Sequence, residues 1–267
     1  KALSTEQLLS IQQHFLARPE IYQQFGILPF KPVIDGENLP LAPYKAIANG
    51  CAVDIPIISG SNTDEWTLFA AMLKQNILDE QTLDIRLRPL FSKKNNTEQT
   101  IADCKTLLAA ECRQRNISPT PNNLLNEALT EYWFAQPSNR LLDAQSSVGG
   151  KAFSYKLGRK TIIPALACTH ITDIGLVFGN TTPAFHGDEP RVQQLVDELQ
   201  SYWGAFAYIG NPNGDLINNT ETMNWPSYNQ NERTFLFFNH YNTHIDSLAD
   251  KSVNFWSMIT NQQLASF

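Results

Sequence analysis

An acidic pair, Asp64 and Glu65, stands where a strand is expected to pass into a helix. Residues 53–58 are apolar and rich in β-branched types, and glycine and asparagine follow them, which predicts a buried strand. Residues 66–73 predict the start of a helix. In open α/β sheets ligands bind beyond the carboxyl ends of the strands, so a carboxylate here could take part in chemistry. The alternative is that both acids lie in the first helical turn and interact with the helix dipole.

His170 is the histidine whose setting best suits a general base. It follows an apolar stretch and precedes Asp173 and a second apolar run. A histidine in such a place is either buried and hydrogen-bonded for structural reasons or positioned to move protons near neutral pH. In hydrolytic triads a carboxylate holds the imidazole in one tautomer and stabilises the imidazolium, and Glu65 could serve His170 in this way.

The other four histidines offer weaker chemistry. His14 is on the polar side of the first predicted helix, and His186 lies in a turn-like segment where a solvated side chain is expected. His240 and His244 have the i, i+4 spacing of a zinc-binding helix, but Tyr241 stands where that motif has glutamate, and the neighbouring asparagines indicate a loop. No metal site is therefore predicted.

A serine nucleophile is missing from this pattern. A common hydrolase order is serine, then acid, then histidine, and Glu65 before His170 fits the second half of that order. No Gly-x-Ser-x-Gly occurs, and neither Ser59 nor Ser61 has the flanking glycines of a nucleophile elbow. Gly149-Gly150 precedes a predicted strand and is misplaced for an oxyanion loop. The chain therefore offers an acid and a base without a nucleophile.

The elements that position these residues alternate between strands and helices. A capping-box pattern at Ser4 and Gln7 begins a first helix that ends before Pro19, and a loop of residues 25–44 follows it. A helical block divided by prolines then fills residues 79–149, like an insertion that covers a sheet. Its segments are predicted at 79–90, 97–115, 122–135 and 138–147. Strands are predicted later at 151–157 and 234–238, and helices at 191–209 and 247–259.

Composition and charge exclude some classes of function. With 42% apolar residues, a chain of 267 residues can bury a proper core. The net charge of −6, with no Lys/Arg run longer than Lys93-Lys94, argues against a nucleic-acid partner. No apolar segment is long enough to span a membrane. Four scattered cysteines lack the spacing of a disulfide framework, and Asn-x-Ser/Thr sequons leave the compartment open.

Short motifs along nearly the whole chain occur in an order and spacing typical of one enzyme family. The acid strand and turn are Ile55–Ile58 with Gly60–Glu65, and the histidine segment is Ala167–Asp173 with Val177–Gly179. The other motifs are Pro32–Gly36 with Leu39-Pro40, Tyr202-Trp203 with Phe206-Ala207, Gly210–Gly214, Trp225-Pro226 with Tyr228, and Phe255-Trp256. Together they resemble the C-terminal half of the type-B carboxylesterases, the α/β-hydrolases that include para-nitrobenzyl esterases and cholinesterases.

The resemblance implies a fold and a site. The fold is the C-terminal part of one α/β-hydrolase domain over residues 1–267, with a mostly parallel sheet and a helical lid subdomain at about 74–149. Glu65 is then the triad acid and His170 the triad base, and no cofactor is implied. The serine lies on an N-terminal half of the same hydrolase, absent from a chain that opens on Lys1 without a methionine.

The implied activity is hydrolysis of a small-molecule carboxylic ester through an acyl-enzyme. The chain alone is then expected to be inactive, with the serine-bearing N-terminal half as its partner. The alternative is a cholinesterase-like binding or adhesion domain that has lost catalysis, although the retention of Glu65 and His170 argues against it.

Three residues depart from the family pattern. Trp66 stands where glycine is usual and is expected to crowd the pocket, Ile171 stands where glycine or alanine is common, and Asp173 replaces a glutamate. These departures leave the triad roles in place and bear on the substrate range. Asp64 keeps the interpretation of a helix-start acid.

Overall fold

A four-stranded sheet is the central element of the unit formed by Pro43–Met258 in the computed structural model. Its strands are β1 (Ile57–Asn62), β2 (Ala152–Leu157), β3 (Thr234–Phe238) and β4 (Thr243–Ser247), in that spatial order. β1 pairs with β2 and β2 pairs with β3 in parallel, whereas β4 is antiparallel to β3. The carboxyl ends of the first three strands therefore lie on one edge. The predicted mostly parallel sheet is confirmed.

The structure describes residues 3–18, 20–21, 30, 32–92, 96–214 and 222–259. Within these ranges no helix is both long and apolar enough to cross a membrane. Part of the predicted loop at 25–44 lies outside the described residues. In chain order the helices are α1 (Thr5–Leu16), α2 (Pro43–Ala48), α3 (Trp66–Met72), α4 (Glu80–Phe91), α5 (Thr97–Gln114), α6 (Pro121–Thr130), α7 (Gln136–Ser147), α8 (Thr172–Val177), α9 (Pro183–His186), α10 (Pro190–Ile209) and α11 (Asp250–Ser257).

The first strand begins later than the sequence predicts. Val53 and Ile55 are exposed in turns, and β1 continues to Asn62 because all six of its residues pair with β2. The glycine that was expected to close the strand lies inside it. A β-carbon on Gly60 would lie 2.4 Å from the ring of Tyr155, so this close approach between neighbouring strands requires glycine.

The helical block predicted for residues 79–149 is confirmed, with two differences at its prolines. Pro89 lies inside α4 near its end, and Pro137 lies in the first turn of α7, directly after a π-helical turn. A five-residue π-helical turn, Glu131–Ala135, joins α6 directly to α7, so the predicted break between them is absent. The helices α4, α5 and α6 pack against one another through fully buried leucines.

Aliphatic and aromatic residues together form the core around β2, β3 and α10. The predicted long helix and the predicted strands at 151–157 and 234–238 are confirmed as α10, β2 and β3. The core cluster includes Phe153, Leu195, Leu199, Tyr202, Trp225, Leu236 and Phe238. β4 was not predicted, because its sequence Thr-His-Ile-Asp-Ser is mostly polar and its pairing comes from the hairpin with β3.

A second unit consists of Lys1–Ala42 and Ile259–Phe267. Its helix α1 has the predicted capping box. The Ser4 hydroxyl accepts the Gln7 N–H at 3.3 Å, and the Gln7 side chain accepts the Ser4 N–H at 2.9 Å. These two bonds satisfy backbone donors that a helix start otherwise leaves unpaired. The helix ends at Leu16, before Pro19, as the sequence predicts.

Candidate active site

Glu65 and His170 meet at the carboxyl edge of the sheet. Glu65 lies between β1 and α3, and His170 lies in the segment between β2 and α8. The imidazole Nδ1 is 2.7 Å from Glu65 Oε2, although the two residues are 105 positions apart. The Glu65 side chain is 7% exposed, and the imidazole is 39% exposed. The fold thus joins a buried carboxylate to a histidine that solvent can reach.

The second ring nitrogen of His170 is available as a base. A carboxylate accepts but does not donate, so the bond at Nδ1 assigns the proton of the neutral ring to Nδ1 and leaves the lone pair on Nε2. Among the described residues, His170 is hydrogen-bonded to Glu65 alone. Ser59 and Ser61 lie within β1, and no serine hydroxyl in the described ranges is hydrogen-bonded to the imidazole. The described part of the chain thus brings together an imidazole with a free ring nitrogen and a buried carboxylate.

Both oxygens of the Glu65 carboxylate are occupied. Oε1 accepts the backbone N–H of Asn62 at 2.7 Å, while Oε2 faces His170. Glu65 has helical backbone angles directly before α3, but its side chain makes no capping hydrogen bond to that helix. Its carboxylate is directed to the histidine and not to the helix start.

Asn62 and Tyr155 hold the segment that carries His170. The Asn62 side-chain amide donates to the backbone oxygen of Thr169 at 2.8 Å and to Asp173 Oδ1 at 3.3 Å. The Tyr155 hydroxyl donates to Asp173 Oδ2 at 2.9 Å. Asp173, the shorter acid at this position, therefore fastens the first turn of α8 to strands β1 and β2.

Ile171 adopts a left-handed backbone conformation, with φ of 71° and ψ of −3°. This conformation is unfavourable for a β-branched residue and costs on the order of 1–3 kcal/mol. Glycine adopts it without a steric penalty, which gives a physical reason for the small residue that the resemblance expects here. The strained position immediately follows His170.

Two phenylalanine rings pack against the imidazole. The ring centroids of Phe69, on α3, and Phe134, in the π-helical turn, lie 5.3 Å and 5.1 Å from that of His170. The two phenylalanines also stack on each other at 5.8 Å. Trp66 is buried, stacks on Phe69, and donates its indole N–H to Gln75 at 3.0 Å. The side of the imidazole that these rings cover is apolar.

Opposing effects set the protonation of His170. The hydrogen bond to Glu65 raises the pKa of the imidazole, burial of the ring lowers it, and the charges of Glu65 and Asp173 raise it further. The net direction is upward, so the site stabilises the imidazolium relative to water. That is the property required of a base that holds a proton briefly during a reaction.

Asp64 is not the helix-start acid that the sequence suggested. Its buried carboxylate pairs with the guanidinium of Arg115, at the end of α5, and accepts the backbone N–H of Cys168 at 3.2 Å. The Asp64 N–H in turn donates to the Cys168 oxygen at 3.1 Å. Arg115 also bonds both oxygens of Glu127 at 2.8 Å and 2.7 Å. Asp64 therefore connects the histidine segment to the helical block.

The remaining histidines have structural surroundings. His186, predicted to be solvated, is buried, because α9 turns its ring inward, where Nδ1 accepts the Thr182 N–H at 3.1 Å. Burial lowers its pKa. His240 contacts Arg159 at 2.9 Å, and His244 lies in β4. The described residues contain no group of three or more side chains suited to hold a metal ion.

Sequence reasoning did not find three residues of this site. Asn62 was part of a motif without a role, and its place at the end of β1, three residues before the acid, is the signal that could have assigned one. Arg115 and Phe134 carry no local signal. They reach the site because helices far along the chain pack on the acid turn, and such contacts cannot be derived from the spacing of residues.

Solved structures share this fold. The match to a structure titled PNB esterase covers 98% of this chain and 49% of the esterase chain, with a TM-score of 0.66 and 23% identity. The match to a carboxylesterase structure of Geobacillus stearothermophilus covers 96% of this chain and 50% of the carboxylesterase chain, with a TM-score of 0.68 and 24% identity. These similarities establish the α/β-hydrolase fold.

Curated relatives agree with that fold. Para-nitrobenzyl esterase of Bacillus subtilis (strain 168) is 29% identical over 243 residues, which are 88% of this chain and 44% of the relative. Carboxylesterase 1D of Rattus norvegicus is 26% identical over 89% of this chain and 42% of the relative. Acetylcholinesterase 1 of Caenorhabditis elegans is 26% identical over 78% of this chain and 36% of the relative. The chain thus spans less than half the length of these relatives. The sequence profile of the carboxylesterase family matches residues 1–256. The chain belongs to the carboxylesterase family.

Proposed function

We propose that this chain supplies the acid and the base of a serine carboxylic-ester hydrolase. The observation that carries the proposal is the 2.7 Å contact between a buried Glu65 carboxylate and His170 Nδ1, with Nε2 unoccupied in the described part of the chain. This is the arrangement in which a carboxylate holds an imidazole so that its other nitrogen can accept a proton.

In the proposed mechanism, His170 accepts and then returns a proton in each of two steps. Nε2 takes the proton of a serine hydroxyl as its oxygen attacks the ester carbonyl, and the ring becomes an imidazolium that Glu65 stabilises. Nε2 then gives that proton to the alkoxide oxygen, the alcohol leaves, and an acyl-enzyme remains. A water molecule next loses a proton to Nε2 as it attacks the acyl carbon. Nε2 gives that proton to the serine oxygen as the acyl–oxygen bond breaks, which releases the acid and restores the serine hydroxyl.

We place the serine on an N-terminal half of the same hydrolase, which packs against this chain. Two features support such a partner. β1 is paired on one side only among the described strands, which leaves a strand edge that another segment could extend. The large apolar side chains of Ile171, Ile174 and Phe178 are 45%, 54% and 76% exposed close to the histidine in sequence. Exposed apolar groups of this kind mark interaction surfaces.

We assign the helical block to a lid subdomain at about residues 74–149. It supplies Phe134, and α3 supplies Phe69, so an apolar wall flanks the base. Such a wall favours the hydrocarbon part of an ester over a charged group. A small uncharged ester is therefore the proposed substrate class.

Turnover of a short-chain nitrophenyl ester tests this function. We expect no turnover by this chain alone, and we expect turnover after the N-terminal half is added. In the assembled protein, Glu65→Gln should lower kcat by about 10³–10⁴-fold, because an amide cannot stabilise the imidazolium in the same way. His14→Gln, which changes an exposed histidine, serves as the control. Turnover by the chain alone, or an unaffected Glu65→Gln variant, would overturn the proposal.

Labelling by a fluorophosphonate separates this proposal from its alternative. Labelling of the assembled protein at a serine is expected for an active hydrolase, since the reagent reacts with an activated serine nucleophile. Absence of both labelling and turnover would favour the catalytically inactive, cholinesterase-like binding or adhesion domain.

A further inference from the structure

Asn62 contacts the acid and the segment of the base at the same time. It is the last residue of β1 and is 1% exposed. We infer that Asn62 is a positioning residue, which sets the relative placement of Glu65 and His170 through two separate groups of its own. The inference rests on the proposed function and adds a residue to its machinery.

The backbone of Asn62 fixes the acid. Its N–H donates to Glu65 Oε1 at 2.7 Å. A bond from a backbone N–H to a carboxylate is charge-assisted and strong. Because one oxygen is tied to the strand, the carboxylate cannot rotate freely, and the other oxygen stays directed at the imidazole.

The side chain of Asn62 fixes the base. Nδ2 donates to the Thr169 oxygen at 2.8 Å, one residue before His170, and to Asp173 Oδ1 at 3.3 Å, three residues after it. The two acceptors bracket the histidine in the chain. Both are acceptors without a proton to give, so the amide must present its NH₂ group to them, and the orientation of the side chain is determined.

The chemistry of the site explains why the residue is asparagine. An aspartate would place a carboxylate against the Thr169 oxygen and the Asp173 carboxylate. An alanine would remove the link from β1 to both acceptors, and the Thr169 oxygen would then be bonded only within its own segment, by the N–H and hydroxyl of Thr172. The Asn62 Oδ1 atom is buried without a hydrogen-bond partner in the described structure. Leaving such an atom unpaired is unfavourable, so the two bonds that the amide nitrogen makes must offset that cost.

Gln145 provides a matched comparison. It is fully buried, its amide nitrogen donates to the backbone oxygens of Ala52 and Ile55 at 2.9 Å, and its oxygen is also unpartnered. The two amides therefore have the same bonding pattern. Gln145 holds the turns before β1, however, and Asn62 holds the segments after β1 and β2. Both side chains thus have an unpaired amide oxygen. Asn62 differs from Gln145 because its amide nitrogen bonds the segment that carries His170.

The experiment compares Asn62→Ala with Gln145→Ala in the assembled hydrolase and in this chain alone. In the assembled hydrolase, Asn62→Ala should lower kcat by about 10²-fold with little change in KM, since a misplaced base affects the reaction and not substrate binding. In the chain, NMR titration of His170 should show a lower imidazole pKa, because the Glu65 bond that raises it is loosened. Gln145→Ala should reduce stability while changing neither quantity.

The outcomes decide between the two proposals separately. Unchanged kcat and unchanged His170 titration in Asn62→Ala, or equal changes in Gln145→Ala, would overturn the role of Asn62. If Asn62→Ala does not fold, Asn62→Ser keeps one donor, and the same measurements apply with a smaller expected loss. If the unsubstituted assembled protein does not hydrolyse esters, the proposed function fails, and the titration alone still tests the positioning of the dyad.

Discussion

The proton affinity of the His170 imidazole depends on how firmly the Glu65 carboxylate is held beside it. Glu65 is buried and accepts one bond from a backbone N–H and one from the imidazole, so its carboxylate is held in place beside His170 Nδ1. Interactions of this kind are stronger in a buried site than in water. The Phe69 and Phe134 rings add to the exclusion of water on one side. The raised pKa of His170 follows from this local arrangement.

Ile171 offers a test of strain beside the base. Replacement by glycine should remove a backbone penalty of about 1–3 kcal/mol and add about 0.5–1 kcal/mol of unfolded-state entropy, for a net gain of about 1 kcal/mol. The Ile171 side chain is 45% exposed, so little packing is lost. Urea unfolding should therefore show higher stability for Ile171→Gly.

A glycine substitution in α8 is the control for this measurement. Ile174 is 54% exposed and lies inside the helix, where glycine should lower stability by about 1 kcal/mol. A loss of stability in Ile171→Gly similar to that in Ile174→Gly would show that the left-handed conformation carries no removable strain.

The elements of the helical block reach the site through a buried ionic cluster. Arg115, at the end of α5, bridges Asp64 in the acid turn and Glu127 in α6, whose side chains are 6% and 11% exposed. Asp64 bonds the Cys168 backbone on both its N–H and its oxygen. The position of α5 and α6 is in this way coupled to the segment that ends in His170.

Replacing Arg115 with methionine should destabilise the protein strongly. The change leaves two buried carboxylates without their cation, and breaking a buried pair in this manner costs about 3–5 kcal/mol. The comparison is Arg88→Met, which removes the ion pair with Glu98, where the side chains are 50% and 67% exposed. That change should cost far less, because water screens an exposed ion pair. Urea unfolding measures both.

Removing the charges together tests the physical reason. In the triple variant Arg115→Met, Asp64→Asn and Glu127→Gln, no unpaired charge remains, so much of the stability lost in Arg115→Met should return. Equal losses in Arg115→Met and Arg88→Met would contradict the interpretation of the cluster as a buried network.

Across the whole molecule, the features that local sequence patterns encode could be predicted, whereas those that depend on packing between distant segments could not. The roles expected for Glu65 and His170 came from motifs, and their contact needs two strands whose parallel order was implied by the family resemblance. The four-residue shift of β1 came from pairing with β2, which no property of residues 53–58 encodes. His186 was expected in solvent and is buried because α9 turns its ring inward. Side chains placed by tertiary packing, such as Phe134, have no signal in the sequence around them.

The stability of the fold depends on pH through one carboxyl that contacts several elements. Glu111, on α5, faces Glu131 of the π-helical turn, Lys156 of β2, Arg115 and the Ser252 hydroxyl of α11. Burial, followed by the charge of Glu131, raises the pKa of Glu111 to about 7, against an ordinary value of 4.5. A raised pKa in the folded state means that proton binding favours folding. This stabilisation is complete below pH 4.5 and is lost as the pH rises through about 7.

Glu111→Gln should therefore flatten the dependence of stability on pH. The glutamine keeps the shape of the protonated acid and cannot ionise, so the fall in unfolding free energy between about pH 5 and pH 8 should shrink by about 2 kcal/mol. Asp103→Asn, an exposed carboxyl on the same helix, should leave the profile unchanged. Urea unfolding at a series of pH values measures the slope. A Glu111→Gln profile parallel to that of the unsubstituted chain would show that Glu111 titrates alike in the folded and unfolded states, and the burial of this carboxyl between α5, β2 and the π-helical turn would then carry no electrostatic cost.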